Sequence, residues 1–315
     1  MCPPPVTLCG NNRGHALPVI GRGGKEEGNT MKNSMSRRQF ILAAGALAGS
    51  AVLAGCGGSS TSSSSTSTSA DSSSSSASSS DDSYTLVKDG TLTVVAELGF
   101  APFEYMNDKT GDPEGFDVDV INAVADKMGL QCEYLPNQKF DTLVPLIKQG
   151  GKADVSIAAI TITDERKESV DFSEPYLDSN QAIVALKGSA ETRETLNDAS
   201  KQVVCQGGTT GDDWITEKLP NATRVPVDDV TAALTGVQTG LYNAMVVDLP
   251  VAKYMLTNSF SDLEIVEEIA TGEQYGIAVS KDNPNLTKAI NKALEDIKSD
   301  GTMDSIETKW FGSTI

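Results

Sequence analysis

A strand–helix alternation that runs once and then restarts is the feature that most limits what this chain can fold into. Thr91 to Ala96 is a β-rich run reached through Gly90. Val118, Ile121, Val124, Ala125 and Met128 follow at helical spacing, and Gly129 stops that helix. Gln131 to Leu135 reads as a strand. Phe140, Leu143, Val144 and Ile147 form a second apolar helix face, closed by Gly150-Gly151, and Asp154 to Ala159 is a third strand. Strands joined by helices in this order imply a parallel sheet with right-handed crossovers. The pattern begins again with a strand at Gln202 to Cys205, a Gly-rich turn at 207–211 and a helix from Asp212 to Leu219. A strand at Thr223 to Pro226 precedes a helix capped by Asp228, with Val230, Ala233, Leu234 and Val237 on one face. Asn243 to Val247 is a strand ended by Asp248, and Pro250 opens the next helix at its favoured first position. Gln274 to Ser280 adds one strand, and helices over Pro284 to Ser299 and Thr302 to Phe311 end the pattern.

Two α/β units in tandem predict two lobes with a cleft between them. The first lobe is expected to hold 84–185 together with 269–315, and the second 186–268. The crossings are expected near Ala182 to Gly188 and near Glu268 to Gln274. Open α/β sheets bind ligands beyond the carboxyl ends of their strands. The residues to inspect are therefore Glu97 to Phe100, Thr161 to Arg166, Gln206 to Thr210, and Asp248.

The segment before Tyr84 does not belong to the fold. Arg37-Arg38 precede an uncharged apolar run from Ile41 to Gly55, too short for the roughly 20 residues that span a bilayer. The run ends Leu53-Ala54-Gly55-Cys56 and turns abruptly polar, so 31–55 reads as an export signal with a small-residue cleavage site. The paired arginines look like a twin-arginine signal, although a general secretory signal also begins with basic residues. Leu-Ala-Gly-Cys resembles the bacterial lipobox, in which the Cys thiol takes a diacylglycerol, so Cys56 is the expected lipidation site. Residues 1–30 carry no periodicity and are read as an upstream extension, with a start expected at Met31 or Met35. Residues 56–83, mostly Ser, have nothing to bury and cannot offset their ordering entropy. They read as a tether with a root-mean-square span of roughly 25–30 Å.

Composition then excludes whole classes of activity. The only histidine, His15, lies upstream of the signal, so a chain cleaved at Cys56 has none. Ser-His-Asp and Cys-His catalysis and His-based metal sites are thereby removed, and no metal or cofactor is expected. The same cleavage leaves 19 basic against 41 acidic residues, which argues against nucleic acid and against docking on anionic lipid. Cys132 and Cys205 fall in different predicted lobes and read as buried small hydrophobes rather than a disulfide.

The stretch Ile160-Thr161-Ile162-Thr163-Asp164-Glu165-Arg166, followed by Asp171-Phe172-Ser173-Glu174-Pro175-Tyr176, closely resembles the bacterial extracellular solute-binding proteins of family 3, receptors of polar amino acid ABC importers. So do Ala101-Pro102-Phe103-Glu104-Tyr105, Gly115-Phe116-Asp117-Val118-Asp119, Gly208-Thr209-Thr210-Gly211 and Tyr275-Gly276-Ile277-Ala278. The resemblance covers Leu86 to Phe311 with the motifs in family order. It implies a two-lobed, type II periplasmic-binding-protein-like fold, an amino acid ligand and a permease partner; together with the lipobox, a monomer anchored through Cys56 on the outer face of the membrane is expected.

It also implies roles. Arg166 matches the arginine that grips the ligand α-carboxylate, for which a planar bidentate fork is suited. Thr161 matches a residue that assists there, and Thr209 and Thr210 lie where the second lobe offers hydroxyls and amides. Asp248 matches the acid that pairs with the α-ammonium, while as a residue it also reads as a cap for the helix at Pro250. Phe100 and Phe140 match aromatics that sandwich the ligand side chain, and each reads equally well as core. Glu97 matches a position often acidic in members that bind cationic amino acids, while a Gln or Asn ligand could also use it as an acceptor. The neutral amide at Gln206 leaves the ligand class open. The alternative is an enzyme on the same fold, similar to cyclohexadienyl dehydratase, with Glu97 as its acid.

Overall fold

The first strand is buried along its whole length, as an interior strand of a sheet covered on both faces must be. The computed structural model describes residues 83–314. The upstream extension, the export signal, Cys56 and all but the last residue of the Ser-rich tether lie outside the described residues. Thr91–Val95 (β1) leads into a small antiparallel sheet of Gly99–Phe100 (β2), Glu104–Met106 (β3) and Pro113–Glu114 (β4). The alternation gave no sign of this sheet, whose strands are too short to show a period. Phe116–Met128 (α1) ends at Gly129, whose φ of 71° is the left-handed conformation glycine adopts without penalty. Gln131–Tyr134 (β5), Phe140–Gln149 (α2) and Val155–Ser156 (β6) complete the first unit, with β1 parallel to both β5 and β6.

Asp164–Ser169 (α3) and Asp171–Phe172 (β7) follow. The chain then enters a second sheet through the ten-residue Leu177–Leu186 (β8). A single turn, Arg193–Leu196 (α4), precedes Gln202–Gln206 (β9), Thr210–Lys218 (α5), Thr223–Val227 (β10), Val230–Gln238 (α6) and Ala244–Asp248 (β11). Leu249–Asn258 (α7) leads to Leu263–Tyr275 (β12), then Ala278–Val279 (β13), Pro284–Ser299 (α8) and Thr302–Phe311 (α9). Among the described residues the sheet orders are β5-β1-β6-β13-β7 and β10-β9-β11-β8-β12. Each unit thus places its first parallel strand between the second and third, as the restarted pattern requires.

Local corrections have local causes. Asp229, not Asp228, caps α6, its carboxylate accepting the Ala232 amide at 2.5 Å. The run from Asp154 to Ala159 forms a strand only at Val155–Ser156; at its far end Ala159 leaves the extended conformation, with φ of 45°. The run from Gln274 to Ser280 divides between the sheets: Tyr275 closes β12 in the second and Ala278 opens β13 in the first. With crossings expected near 182–188 and 268–274, the second sheet is joined at Leu177 and left at Tyr275, which face each other in register. Cys132 and Cys205 are free thiols in different sheets, Cys205 fully buried and Cys132 half-buried.

Candidate functional site

The loop after β6 is shaped before any polar group is added to it. Ala159 has φ of 45°, a left-handed conformation uncommon for a residue with a Cβ. It is held by Asp117, whose carboxylate accepts the Ala159 amide at 2.7 Å and the Tyr176 hydroxyl at 2.8 Å. Asp117 can reach that position because Gly115 lets α1 start against the 102–103 backbone. A Cβ on Gly115 would stand 2.0 Å from the Phe103 carbonyl oxygen. The Phe116 and Asp117 amides close the contact on the Pro102 and Phe103 carbonyls, each at 2.8 Å. The motifs at 101–105 and 115–119 therefore act as a frame beneath the loop that carries Thr161.

Thr161 follows, buried, forming an isolated bridge with Tyr275. Thr163 caps α3 by accepting the Arg166 amide at 3.1 Å, which orients Arg166 back along the loop. The Arg166 guanidinium donates to the Thr161 carbonyl at 2.7 Å and to the Gly208 carbonyl, from the loop after β9, at 3.0 Å. It also lies over the Phe140 ring, 5.3 Å from its centroid. Burial lowers its pKa, which the charges of Asp248, Asp213 and Glu273 partly restore. Asp164 and Glu168 form no ion pair with Arg166; Asp164 pairs with Lys167.

The second sheet brings Asp248 and the 208–210 turn to the same place. Asp248 stands at the end of β11 and before α7 but makes no capping bond to that helix. Its carboxylate accepts the Gln181 side-chain amide at 2.5 Å and the Tyr275 hydroxyl. Burial raises its pKa to about 6, with the Glu273 charge adding to the rise. The Thr209 hydroxyl is committed within its own turn: it accepts the Asp212 amide at 3.2 Å and donates to the Gln206 carbonyl at 2.8 Å. Thr210 is the hydroxyl that faces the cleft, donating to Glu273 at 3.0 Å.

Glu97 is 7% exposed, and one of its carboxylate oxygens is buried with no hydrogen-bond partner. Burial raises its pKa to about 7; the Gln206 amide draws it down and Asp229 repels it upward. Phe100 packs into the core, stacked on Phe103 with centroids 6.2 Å apart. Of the two aromatics, Phe140 is the one set against the polar cluster.

Three members of the cluster were not singled out as site residues in the sequence. Gln181 is fully buried in β8, and an amide inside the run Gln181-Ala182-Ile183-Val184-Ala185 was the clue available. Tyr275 reads as core. Glu273 follows a register shift in β12 between Ile269 and Glu273, which no periodicity betrays. A cavity of about 350 Å³ opens beside Glu273, lined also by Thr161, Thr163, Lys167, Thr210 and Gly272. A larger groove of about 1280 Å³ between residues 174–178 and the last two helices contains none of the strand-end residues.

The family model for bacterial extracellular solute-binding proteins, family 3, matches residues 92–313. The ABC transporter glutamine-binding protein of Bacillus subtilis (strain 168) is 33% identical over 215 residues, covering 66% of this chain and 77% of that protein. A putative ABC transporter arginine-binding protein of Escherichia coli (strain K12) is 33% identical over 226 residues, covering 70% of this chain and 90% of that protein. Among solved structures, an ancestral arginine-binding protein bound to glutamine superimposes with a TM-score of 0.66 at 40% identity, covering 72% of this chain and 100% of that one.

Proposed function

Because the chain belongs to the bacterial extracellular solute-binding proteins, family 3, we propose that it is the substrate-binding component of an ABC importer for a polar amino acid. It is a binding protein and not an enzyme: the relatives are named for ligands carried by transporters. The observation that carries the reading is the convergence of opposite charges from two sheets. Arg166, half-buried, stands on the loop after β6 and reaches the second sheet's turn at Gly208, and buried Asp248, at the end of β11, is close enough for its charge to act on the guanidinium.

In this reading Arg166 holds the ligand α-carboxylate, assisted by Thr161 and by the turn at Thr209 and Thr210. The Thr209 contribution comes from its backbone, since its hydroxyl is occupied as a cap. Asp248 receives the α-ammonium, and its carboxylate is free of capping duty. Phe140 flanks the ligand, and Phe100 backs it from the core. A ligand that touches both lobes binds the closed arrangement better than the open one and shifts the population toward it. Closure excludes water and strengthens each charge-assisted bond.

Glu97 favours a cationic side chain, because a buried carboxylate with an unpaired oxygen gains most from an ammonium or guanidinium. Glutamine is the competing ligand, since a carboxyl that holds its proton to about pH 7 also serves a neutral amide. The family is extracellular, so the head works outside the cytoplasm. The lipobox supports attachment to the membrane through Cys56, with the Ser-rich tether carrying a monomeric head to its permease. A thermal-shift screen of the twenty amino acids on the full chain tests the reading: one or a few polar amino acids raise the melting temperature, and no shift with any of them refutes it.

A further inference from the structure

Glu273 occupies a position that the proposed mechanism does not use. One oxygen of its carboxylate accepts three hydrogen bonds: from the Thr161 hydroxyl at 3.2 Å, the Thr210 hydroxyl at 3.0 Å and the Gln181 amide at 3.1 Å. Thr161 belongs to the loop after the first sheet's β6, and Thr210 opens α5 against the second sheet. Arg166 feels the Glu273 charge, and Lys167 lines the cavity beside Glu273. A carboxylate is thus already seated on the two hydroxyls read above as assisting the carboxylate of a ligand.

The backbone explains how it arrives there. The β8–β12 ladder pairs Ile269 with Gln181 and Glu273 with Ser179, so three residues, Ala270 to Gly272, stand opposite Asn180 alone. The surplus is bulged out at Gly272, whose φ is 65°, and the Asn180 side chain takes the Thr271 and Gly272 amides at 3.0 and 3.1 Å. Glu273 is half-buried at the foot of this bulge, beside the cavity of about 350 Å³. The side chain therefore has both a seat and a place to swing when displaced.

Resting on the reading of this site as an amino acid site, we propose that Glu273 is an internal stand-in for the ligand carboxylate, which the ligand must displace from Thr161 and Thr210. The residue is then an affinity-setting one. It holds two donors satisfied and the two sheets bridged when the cleft has no ligand, and it weakens binding by the work of its removal. Releasing its two hydroxyl bonds, less what the ligand carboxylate restores to the same donors, costs roughly 5- to 30-fold in affinity.

The test is calorimetry on the full chain with each of the twenty amino acids, comparing wild type with Glu273→Ala and Glu273→Gln. A competitor predicts a gain that structural damage does not produce. Glu273→Ala should bind the wild-type ligand roughly 5- to 30-fold tighter. Glu273→Gln, which keeps shape and one acceptor, should gain less and provides the reading should the alanine variant not fold. Unchanged or weakened affinity in the variants, with wild type binding normally, overturns the stand-in and leaves the amino acid site intact. Absence of binding by wild type to all twenty overturns the amino acid reading itself, and the stand-in with it.

Discussion

Replacing Glu97 by Gln separates a charge from a shape at the point where ligand class is decided. The carboxyl is buried, one oxygen lacks a partner, and its pKa rises from 4.5 to about 7, chiefly through desolvation. A carboxyl raised in the folded state contributes stability below its unfolded value and loses it as pH climbs through the folded one. At pH 8 the folded, ligand-free protein therefore holds an ionised group that the unfolded chain ionises far more easily, a penalty of about 3 kcal/mol. At pH 5 the penalty is below about 1 kcal/mol. Glu97→Gln removes the titration, so its stabilisation over wild type should be about 2–3 kcal/mol larger at pH 8 than at pH 5. For a head of this size that is a difference of roughly 5–10 °C in Tm. The measurement is urea and thermal unfolding of both proteins, ligand-free, at the two pH values, followed by tryptophan fluorescence. Equal stabilisation at pH 5 and pH 8 would show that Glu97 is solvated, and the argument from its burial would fall. A cationic ligand should reverse the effect, since it gives the charge a partner: Glu97→Gln should weaken lysine or arginine strongly and glutamine little.

Two further outcomes test other parts of the reading. Arg166→Ala should cost binding about 30-fold or more while leaving the melting temperature of the ligand-free protein near that of wild type, because truncation strands the ligand carboxylate in a dry cleft; unchanged affinity by calorimetry would remove the carboxylate clamp. Cys56→Ala should release the protein from the membrane fraction into the soluble one, and equal membrane retention of the variant would end the anchor assignment.

How much of this was legible depended on what each residue had to satisfy. Strands buried on both faces, such as β1, announce themselves as an unbroken β-rich run, and helices with one wet side, such as α8, by the period that one-sided burial imposes. Both last helices begin and end where their proline, glycine and apolar spacing predict. β12 does not, because an edge strand with alternating half-buried Glu and Ile residues has no continuous apolar run. Strand ends and motifs single out Arg166, Thr161 and Asp248 as candidates, and the Arg166 guanidinium bonds the Thr161 carbonyl and feels the Asp248 charge. Thr209 was not separable from Thr210 in the sequence, since only the turn decides which hydroxyl caps and which faces the cleft. Glu273 depends on a register shift between distant strands, and such pairing is a tertiary property that no local window contains.

The order of strands in the first sheet has a consequence for how the protein is made. β13, at Ala278–Val279, lies between β6 and β7 and is the strand that joins β7 to the rest. The helices that follow it pack on α1. A chain emerging from the ribosome thus presents every strand of its second sheet, 177–275, as one uninterrupted stretch, while the first sheet waits for the final forty residues. Synthesis runs from the first lobe to the second, but completion runs the other way. Until the last helices are released, the unfinished sheet exposes an apolar surface with no cover, the state in which chains aggregate and chaperones bind. A truncation of even the last helix pair should therefore disable the half of the molecule that is translated earliest.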